Sequence, residues 1–308
     1  SLMEVCGGHT HTIYRYGLEN LLPSSIELVH GPGCPVCVLP MGRVDDALWL
    51  AQQPNVILTC FGDMMRVPGS TESLMQARAR GADVRFVYSP LDALKLAKEN
   101  PSKEVIFFGI GFETTAPSTA ATLEAARVGN VTNFSVFSNH VAIEPPLQAL
   151  INGGDTNVDG FIAPGHVATI VGTKAFDFLP TQHNKPTVIA GFEPLDILQA
   201  VDMLLTQFLA RDLYGKPARV ENQYARVVSE QGNAVALKLM SRVFEVRKTF
   251  EWRGLGWIPE SGLAIAEEYS QWDAEKRFTI PGNRVPDPAA CECGSVLTGK
   301  IKPWQCRV

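Results

Sequence analysis

Short apolar runs alternate with amphipathic stretches through the first two-thirds of the chain. The runs lie at 26–29, 56–60, 84–88, 105–110, 134–137, 160–163 and 187–190. Each is almost continuously apolar, not alternating with polar residues, which predicts strands buried on both faces of a parallel sheet. Between them the pattern predicts helices over 42–53, 72–80, 90–100, 116–127, 144–152 and 195–209. Repeated strand–helix alternation reads as doubly wound α/β structure. After about Tyr214 the texture changes. Residues 219–229 and 234–250 suggest helices or mixed α+β structure, turns rich in Gly, Trp and Pro follow in RGLGWIPESG, and a loop-like stretch at 281–288 leads into the last cysteines.

An internal echo sharpens the domain reading. VILTCFGDMMRVPGST from Val56 and VIFFGIGFETTAPST from Val105 share a strand, a glycine turn with an acidic residue, then Pro and Ser or Thr opening a helix. TVIAGFEPLD from Thr187 repeats part of it, and GPGC at 31–34 pairs with APGH at 163–166. The expected architecture is α/β, with two similar doubly wound parallel-sheet domains at 26–103 and 104–210. A smaller α+β domain is expected at 211–308, with an N-terminal segment at 1–25 packing beside it. The alternative is repeated strand–turn–helix chemistry within one large sheet.

Composition narrows the function classes. A chain of 308 residues is long enough for two or three domains. The net charge is −5 and no lysine or arginine block stands out, so nucleic-acid binding has no electrostatic support. The longest uninterrupted apolar stretch, near 105–112, falls far short of the ~20 residues that span a bilayer. No signal peptide is visible, and Ser1 with a methionine only at Met3 reads as a trimmed start. A soluble cytoplasmic protein without nucleic-acid or membrane partners is expected. Seven cysteines in a chain of this kind point to metal or redox chemistry, not to a disulfide scaffold.

Three cysteine motifs carry the candidate chemistry. In MEVCGGHTHT at 3–12, two glycines after Cys6 predict an open turn with an accessible sulfur, and His9 and His11 follow closely. Thiolate and imidazole suit iron or zinc; a neighbouring histidine also suits a nucleophilic thiol, and the plainest reading is a buried cysteine in a turn. In HGPGCPVCVLP at 30–40, Cys34 and Cys37 form a C-x-x-C between a strand and a helix, the context of a redox-active pair. With no second C-x-x-C to complete a structural zinc site, redox chemistry leads over metal binding. Direct thiol chemistry between the Cys6 loop and this pair needs domain motion if they lie more than about 10 Å apart. Cys291, Cys293 and Cys306 suggest an iron–sulfur cluster or zinc, with the fourth ligand from another residue or from beyond Val308. Weaker signals are GIGFETTAPS with Glu113 and Thr114, FGDMMRVPGS with Asp63, and APGHVATIVG with His166, each where a strand ends and a helix begins. GIGFET lacks the last glycine of a nucleotide fingerprint. Cys60 reads as core, and His140 and His183 as surface or turn residues.

EVCGGHTH, GPGCPVC, GFETTAP and APGHV, in this order, resemble the HypD family of hydrogenase maturation factors, and the resemblance runs the length of the chain. It implies two similar α/β domains and a third holding a [4Fe–4S] cluster. It also implies a scaffold, working with a HypC-type chaperone, on which iron receives two cyanides and one carbon monoxide before delivery to the hydrogenase large subunit. A HypE-type partner would donate cyanide as a thiocyanate. By position, Cys6 would hold the iron, shared with a HypC cysteine, and His9 would lie beside it. Cys34 and Cys37 would pass electrons, Cys291, Cys293 and Cys306 would hold the cluster, and Asp63, Glu113, Thr114 and His166 would line the cleft between the similar domains. The family's cluster has four cysteines, and this chain ends before the fourth. Such a protein is more a redox-active scaffold than a turnover enzyme. The competing classes are a thioredoxin-like thiol–disulfide oxidoreductase and a nucleotide-binding module.

Overall fold

The computed structural model describes residues 1–154 and 157–307. In chain order the strands are β1 (Leu2–Glu4), β2 (Leu28–His30), β3 (Val56–Cys60), β4 (Val84–Phe86), β5 (Glu104–Gly111), β6 (Phe134–Val141) and β7 (Gly160–Pro164). They continue with β8 (Thr187–Ala190), β9 (Val220–Asn222), β10 (Phe244–Val246), β11 (Thr249–Trp252), β12 (Gly256–Pro259) and β13 (Gly262–Ile265). The seven predicted strands are all present, and their continuous apolar character has the expected cause: β3, β6, β7 and β8 are buried at every position.

Two compact units divide the chain. The first comprises Ser1–Cys34, Ile143–Val235 and Ala290–Val308; the second comprises Pro35–Ala142 and Ala236–Ala289. The first is built on a parallel sheet in the order β2-β1-β7-β8-β9. Counted within the unit this is 2-1-3-4-5, a doubly wound order whose switch point lies between its first and third strands. The second unit has the order β10-β13-β6-β5-β3-β4. Its parallel part, β4-β3-β5-β6, repeats the 2-1-3-4 order, and β13 adds antiparallel to β6. The hairpin β11–β12 stands outside this sheet.

This division cuts across the contiguous boundaries expected from the sequence. The cause is β1, which the periodicity does not announce. Leu2–Glu4 pairs with β2 on one side and β7 on the other, so the first residues are the middle of a sheet and not an appendage. Residues 211–308 likewise form no compact unit of their own, being shared between the two. Residues 290–307 do pack near the N-terminus: a Cβ on Gly299 would lie 3.0 Å from the Val29 side chain and 3.5 Å from that of Met3, and Lys302 Nζ donates to the Leu28 carbonyl at the edge of β2. The two copies of the echo at Val56 and Val105 are β3 and β5, hydrogen-bonded neighbours in one sheet. GPGC and APGH follow β2 and β7 of the other sheet. The paired echoes are therefore neighbours within one sheet, with β8 carrying part of the β3/β5 pattern into the other sheet, while the similarity of the two units lies in strand order.

Each unit has its own core. In the first, Leu2, Ile13, Leu28, Ile162, Val188 and Leu204 pack together. In the second, one cluster around Phe107, Phe134 and Trp272 and another around Leu50, Leu58 and Phe108 cover the sheet. Cys60 lies in the second of these clusters, fully buried, as its sequence position indicates.

Candidate functional site

In an open parallel sheet ligands bind outside the carboxyl ends of the strands at the switch point. In the first unit that place is the end of β1 and β7, and it holds the Cys6 motif. Val5 N–H donates to the Ile162 carbonyl, the last tie of β1 to β7. Cys6 then stands as the N-cap of helix α1 (Gly7–Tyr16), with extended backbone and no capping bond from its side chain. The sulfur is thus left for other work. Gly7 and Gly8 start a helix and do not form the open turn expected. What requires them is close approach: a Cβ on Gly8 would lie 2.8 Å from the Phe192 ring, and one on Gly7 3.5 Å from the Cys34 Cβ.

The GPGC loop meets the Cys6 loop through backbone. Gly31 N–H donates to the Glu4 carbonyl at 2.8 Å, and Gly7 N–H to the Gly33 carbonyl at 3.3 Å. A Cβ on Gly33 would fall 2.1 Å from Val5 C and O and 2.4 Å from Cys6 N. The Cys6 loop and the loop leading to Cys34 are therefore in direct contact. Cys34 and Cys37 are disulfide-bonded. Cys37 lies in the short helix α2 (Pro35–Val38), so the pair sits at a helix start as predicted.

The electrostatics around Cys6 are mixed. Burial pushes its thiol up to about 11; the Glu4 charge adds to this, and the backbone N–H groups of Gly8 and His9 oppose it. Glu4 is itself buried at the end of β1. Its Oε2 accepts from Cys6 N–H at 2.9 Å, and its Oε1 accepts from the Thr10 hydroxyl and from His30 Nδ1. His9 is fully buried, and burial lowers its pKa. Its Nε2 lies 3.2 Å from the Ala190 carbonyl, while Nδ1 has no hydrogen-bond partner among the described residues. A neutral ring donating from Nε2 leaves a lone pair on Nδ1, a ligand-capable nitrogen. Phe192 stacks on His9 at 4.7 Å and on exposed His166 at 3.8 Å, so one phenyl ring lies between two imidazoles.

The other predicted residues divide between the units. His166, at the end of β7, belongs with Cys6 and His9. Asp63, Glu113 and Thr114 follow β3 and β5 at the second unit's own switch point. Asp63 is exposed and accepts from Met64 N–H, Thr114 is exposed, and Glu113 is buried. Cys291, Cys293 and Cys306 share a neighbourhood, since Arg307 N–H donates to the Glu292 carboxylate. Among the described residues, however, no three His, Cys, Asp or Glu side chains form a group that could hold a metal ion. His140, expected at the surface, is fully buried in β6 with Nε2 3.0 Å from the Thr119 hydroxyl.

Four residues of the Cys6 site escaped the motif reading: Glu4, Tyr14, His30 and Phe192. One signal was available. A glutamate inside the apolar run LMEV must find a partner when buried, and His30 opens the adjoining motif.

Comparison with known proteins agrees with this motif arrangement. The HypD family model, described as the hydrogenase formation hypA family, matches residues 1–308. The chain belongs to the HypD family. It is 52% identical over 305 residues to the hydrogenase maturation factor HypD of Escherichia coli (strain K12), covering 99% of this chain and 80% of that protein. It is 52% identical to HypD of Rhodobacter capsulatus and 50% identical to HypD of Azotobacter vinelandii, with 99% and 100% of this chain and 81% of each relative covered. Among the described residues, no helix of this HypD-family chain is long and apolar enough to cross a membrane.

Proposed function

We propose that this HypD-family chain is a redox-active assembly scaffold in hydrogenase maturation. Cys6 holds an iron ion while it receives cyanide and carbon monoxide, and Cys34/Cys37 supply electrons. The observation that supports this reading is the backbone contact between the Cys6 loop and the GPGC loop that leads to Cys34.

Iron is the cargo here. A thiol that resists ionisation binds metal by exchanging its proton for the cation. The N–H groups of Gly8 and His9 favour the resulting thiolate, and the Glu4 carboxylate two residues away favours the positive charge. His9 Nδ1 offers a neutral nitrogen in the same neighbourhood. Cys34/Cys37, reduced from the disulfide before each transfer by an external dithiol reductant, supplies two electrons to a thiocyanate R–S–CN carried by a HypE-type partner. The S–C bond breaks, the dithiol closes to the disulfide, and its two protons leave with R–SH and HCN, whose cyanide then binds iron as the proton is released. A HypC-type chaperone contributes a second thiolate to the iron. No step passes through Cys291, Cys293 or Cys306, and none is given to Asp63, Glu113, Thr114 or His166.

The Cys34–Cys37 disulfide also favours a second reading, a thiol–disulfide oxidoreductase acting on proteins. Infrared spectroscopy of the chain bound to a HypC-type chaperone separates the two. The scaffold reading expects cyanide and carbonyl stretches that vanish in Cys6→Ala. The oxidoreductase reading expects disulfide exchange needing only Cys34 and Cys37, with Cys6→Ala silent. Stretches that persist in Cys6→Ala would sink the assignment of Cys6.

A further inference from the structure

Beneath Cys6 a hydrogen-bonded chain leads from Glu4 outward to the surface through His30 and Tyr14, neither of which has a part in the proposed chemistry. Tyr14, on the last turn of α1, is partly exposed, and its hydroxyl lies 2.6 Å from His30 Nε2. His30, at the end of β2, is buried, and its Nδ1 lies 2.5 Å from Glu4 Oε1. Glu4 in turn accepts the Cys6 N–H through Oε2. The polarity of the chain follows from its ends. A carboxylate only accepts, so His30 donates from Nδ1, and its Nε2 is paired with the Tyr14 hydroxyl, which can both donate and accept. Every link then has one donor and one acceptor, with no buried polar atom of the three side chains left over. Burial together with the Glu19 and Glu4 charges pushes the Tyr14 phenol up to about 12, so it stays a donor at neutral pH. At the outer end the Trp304 ring meets Tyr14 edge-on at 5.7 Å.

We propose that Tyr14, His30 and Glu4 form one positioning chain that fixes the Cys6 backbone and so sets the accessibility of its sulfur. The chain touches no reacting atom and acts through the Cys6 N–H. Cys6 is well placed to be governed in this way. Its side chain makes no capping bond, and its backbone is the hinge between β1 and α1. The Glu4 carboxylate is the tie between that hinge and β2. Loss of the Tyr14 hydroxyl leaves His30 Nε2 buried without its partner, and the ring relieves this by turning, which releases Glu4 and then Cys6. The inference deepens the proposed function, since it rests on Cys6 being the working thiol, but its test does not involve iron.

The experiment is timed alkylation of the reduced full chain by iodoacetamide, with the Cys6 and Cys60 peptides quantified by mass spectrometry. Cys60 is buried in the other unit and reports global loosening. Tyr14→Phe keeps the ring against Trp304 and removes only the hydroxyl. It is expected to raise Cys6 alkylation about threefold or more, the scale of one lost hydrogen bond, with Cys60 unchanged. His30→Gln is expected to do at least as much, and the double variant no more than His30→Gln alone, because the links act in series. Tyr16→Phe, an exposed neighbour on the same helix, is the control and is expected to be silent. A Cys6 rate unchanged in Tyr14→Phe, or effects of Tyr14→Phe and His30→Gln that simply add, overturns the proposal. Retained iron in Cys6→Ala overturns the iron assignment and leaves this inference standing.

Discussion

Replacing Gly33 by alanine tests the contact on which the site depends. The backbone of Gly33 is outside the left-handed region, so alanine is permitted there on conformational grounds alone. With no steric obstacle, such a change stabilises by roughly 0.4–1 kcal/mol through the unfolded chain. The obstacle is the Val5–Cys6 peptide. The new methyl would start 2.1 Å from Val5 C and O, against 3.4 Å for an ordinary contact. All three nearest atoms are backbone, so no side chain can rotate away, and the two loops must part by more than an ångström. Overpacking of this kind costs about 1–3 kcal/mol, and loss of the Gly7–Gly33 hydrogen bond adds about 1 kcal/mol. Net destabilisation of about 1–3 kcal/mol is expected in urea unfolding, read as a lower midpoint at unchanged slope. Iron retention with a HypC-type chaperone is expected to fall as well. Gly62→Ala is the matched control: nothing lies within 4 Å of its Cβ and its φ is ordinary, so it is expected to be neutral or slightly stabilising. If Gly33→Ala matches Gly62→Ala in stability, the loops do not touch as described.

Two further outcomes follow from groups outside the Cys6 site. Burial pushes the Asp273 carboxyl up to about 6, above its ordinary value, so folding favours its protonated form. Its ionisation costs stability progressively as pH rises from about 4 through 6. Asp273→Asn keeps the acceptor for Glu275 N–H and is expected to stabilise the protein at pH 7.5 by up to about 3 kcal/mol. The gain should disappear by about pH 4 in denaturant midpoints measured across pH, and a gain independent of pH refutes the cause. Lys302 ties residues 290–307 to the sheet edge through Glu19 at 2.9 Å and the Leu28 carbonyl. Lys302→Met removes both bonds, a loss of about 1.5–3 kcal/mol each, and is expected to speed limited proteolysis within 290–307 while the rest of the chain stays resistant.

Much of this fold is legible in the residue pattern, and the exceptions have physical reasons. The runs at 56–60 and 187–190 match β3 and β8 residue for residue because strands covered on both faces are apolar throughout. β1 is hidden because it has only three residues, one of them Glu4, and runs straight into Cys-Gly-Gly. Missing it misplaces the domain boundaries, since β1 joins residues far apart in sequence. The cysteine motifs were readable from spacing alone. Their neighbours were not: Glu4 and His30 matter through one hydrogen bond between β1 and β2, and Phe192 through a ring inserted between His9 and His166. Such partners depend on strand order, which periodicity does not encode. The grouping of Cys6 with His166, and of Asp63 with Glu113, likewise follows from which sheet each strand joins.

The central place of β1 also has a consequence during synthesis. Leu2–Glu4 leaves the ribosome well before its partner β7, which is paired with it from 158 positions further along the chain (Leu2 with Gly160). At roughly 5–20 residues per second, the nascent chain carries Cys6 for on the order of ten seconds before the strand that completes its pocket exists. Throughout that interval the thiol lacks the burial that later raises its pKa. The intervening residues 35–142 meanwhile supply most of a separate folding unit. The strand that leads into Cys6 thus waits for a partner made much later, and its cysteine passes from an open thiol to a guarded one only after β7 has been made.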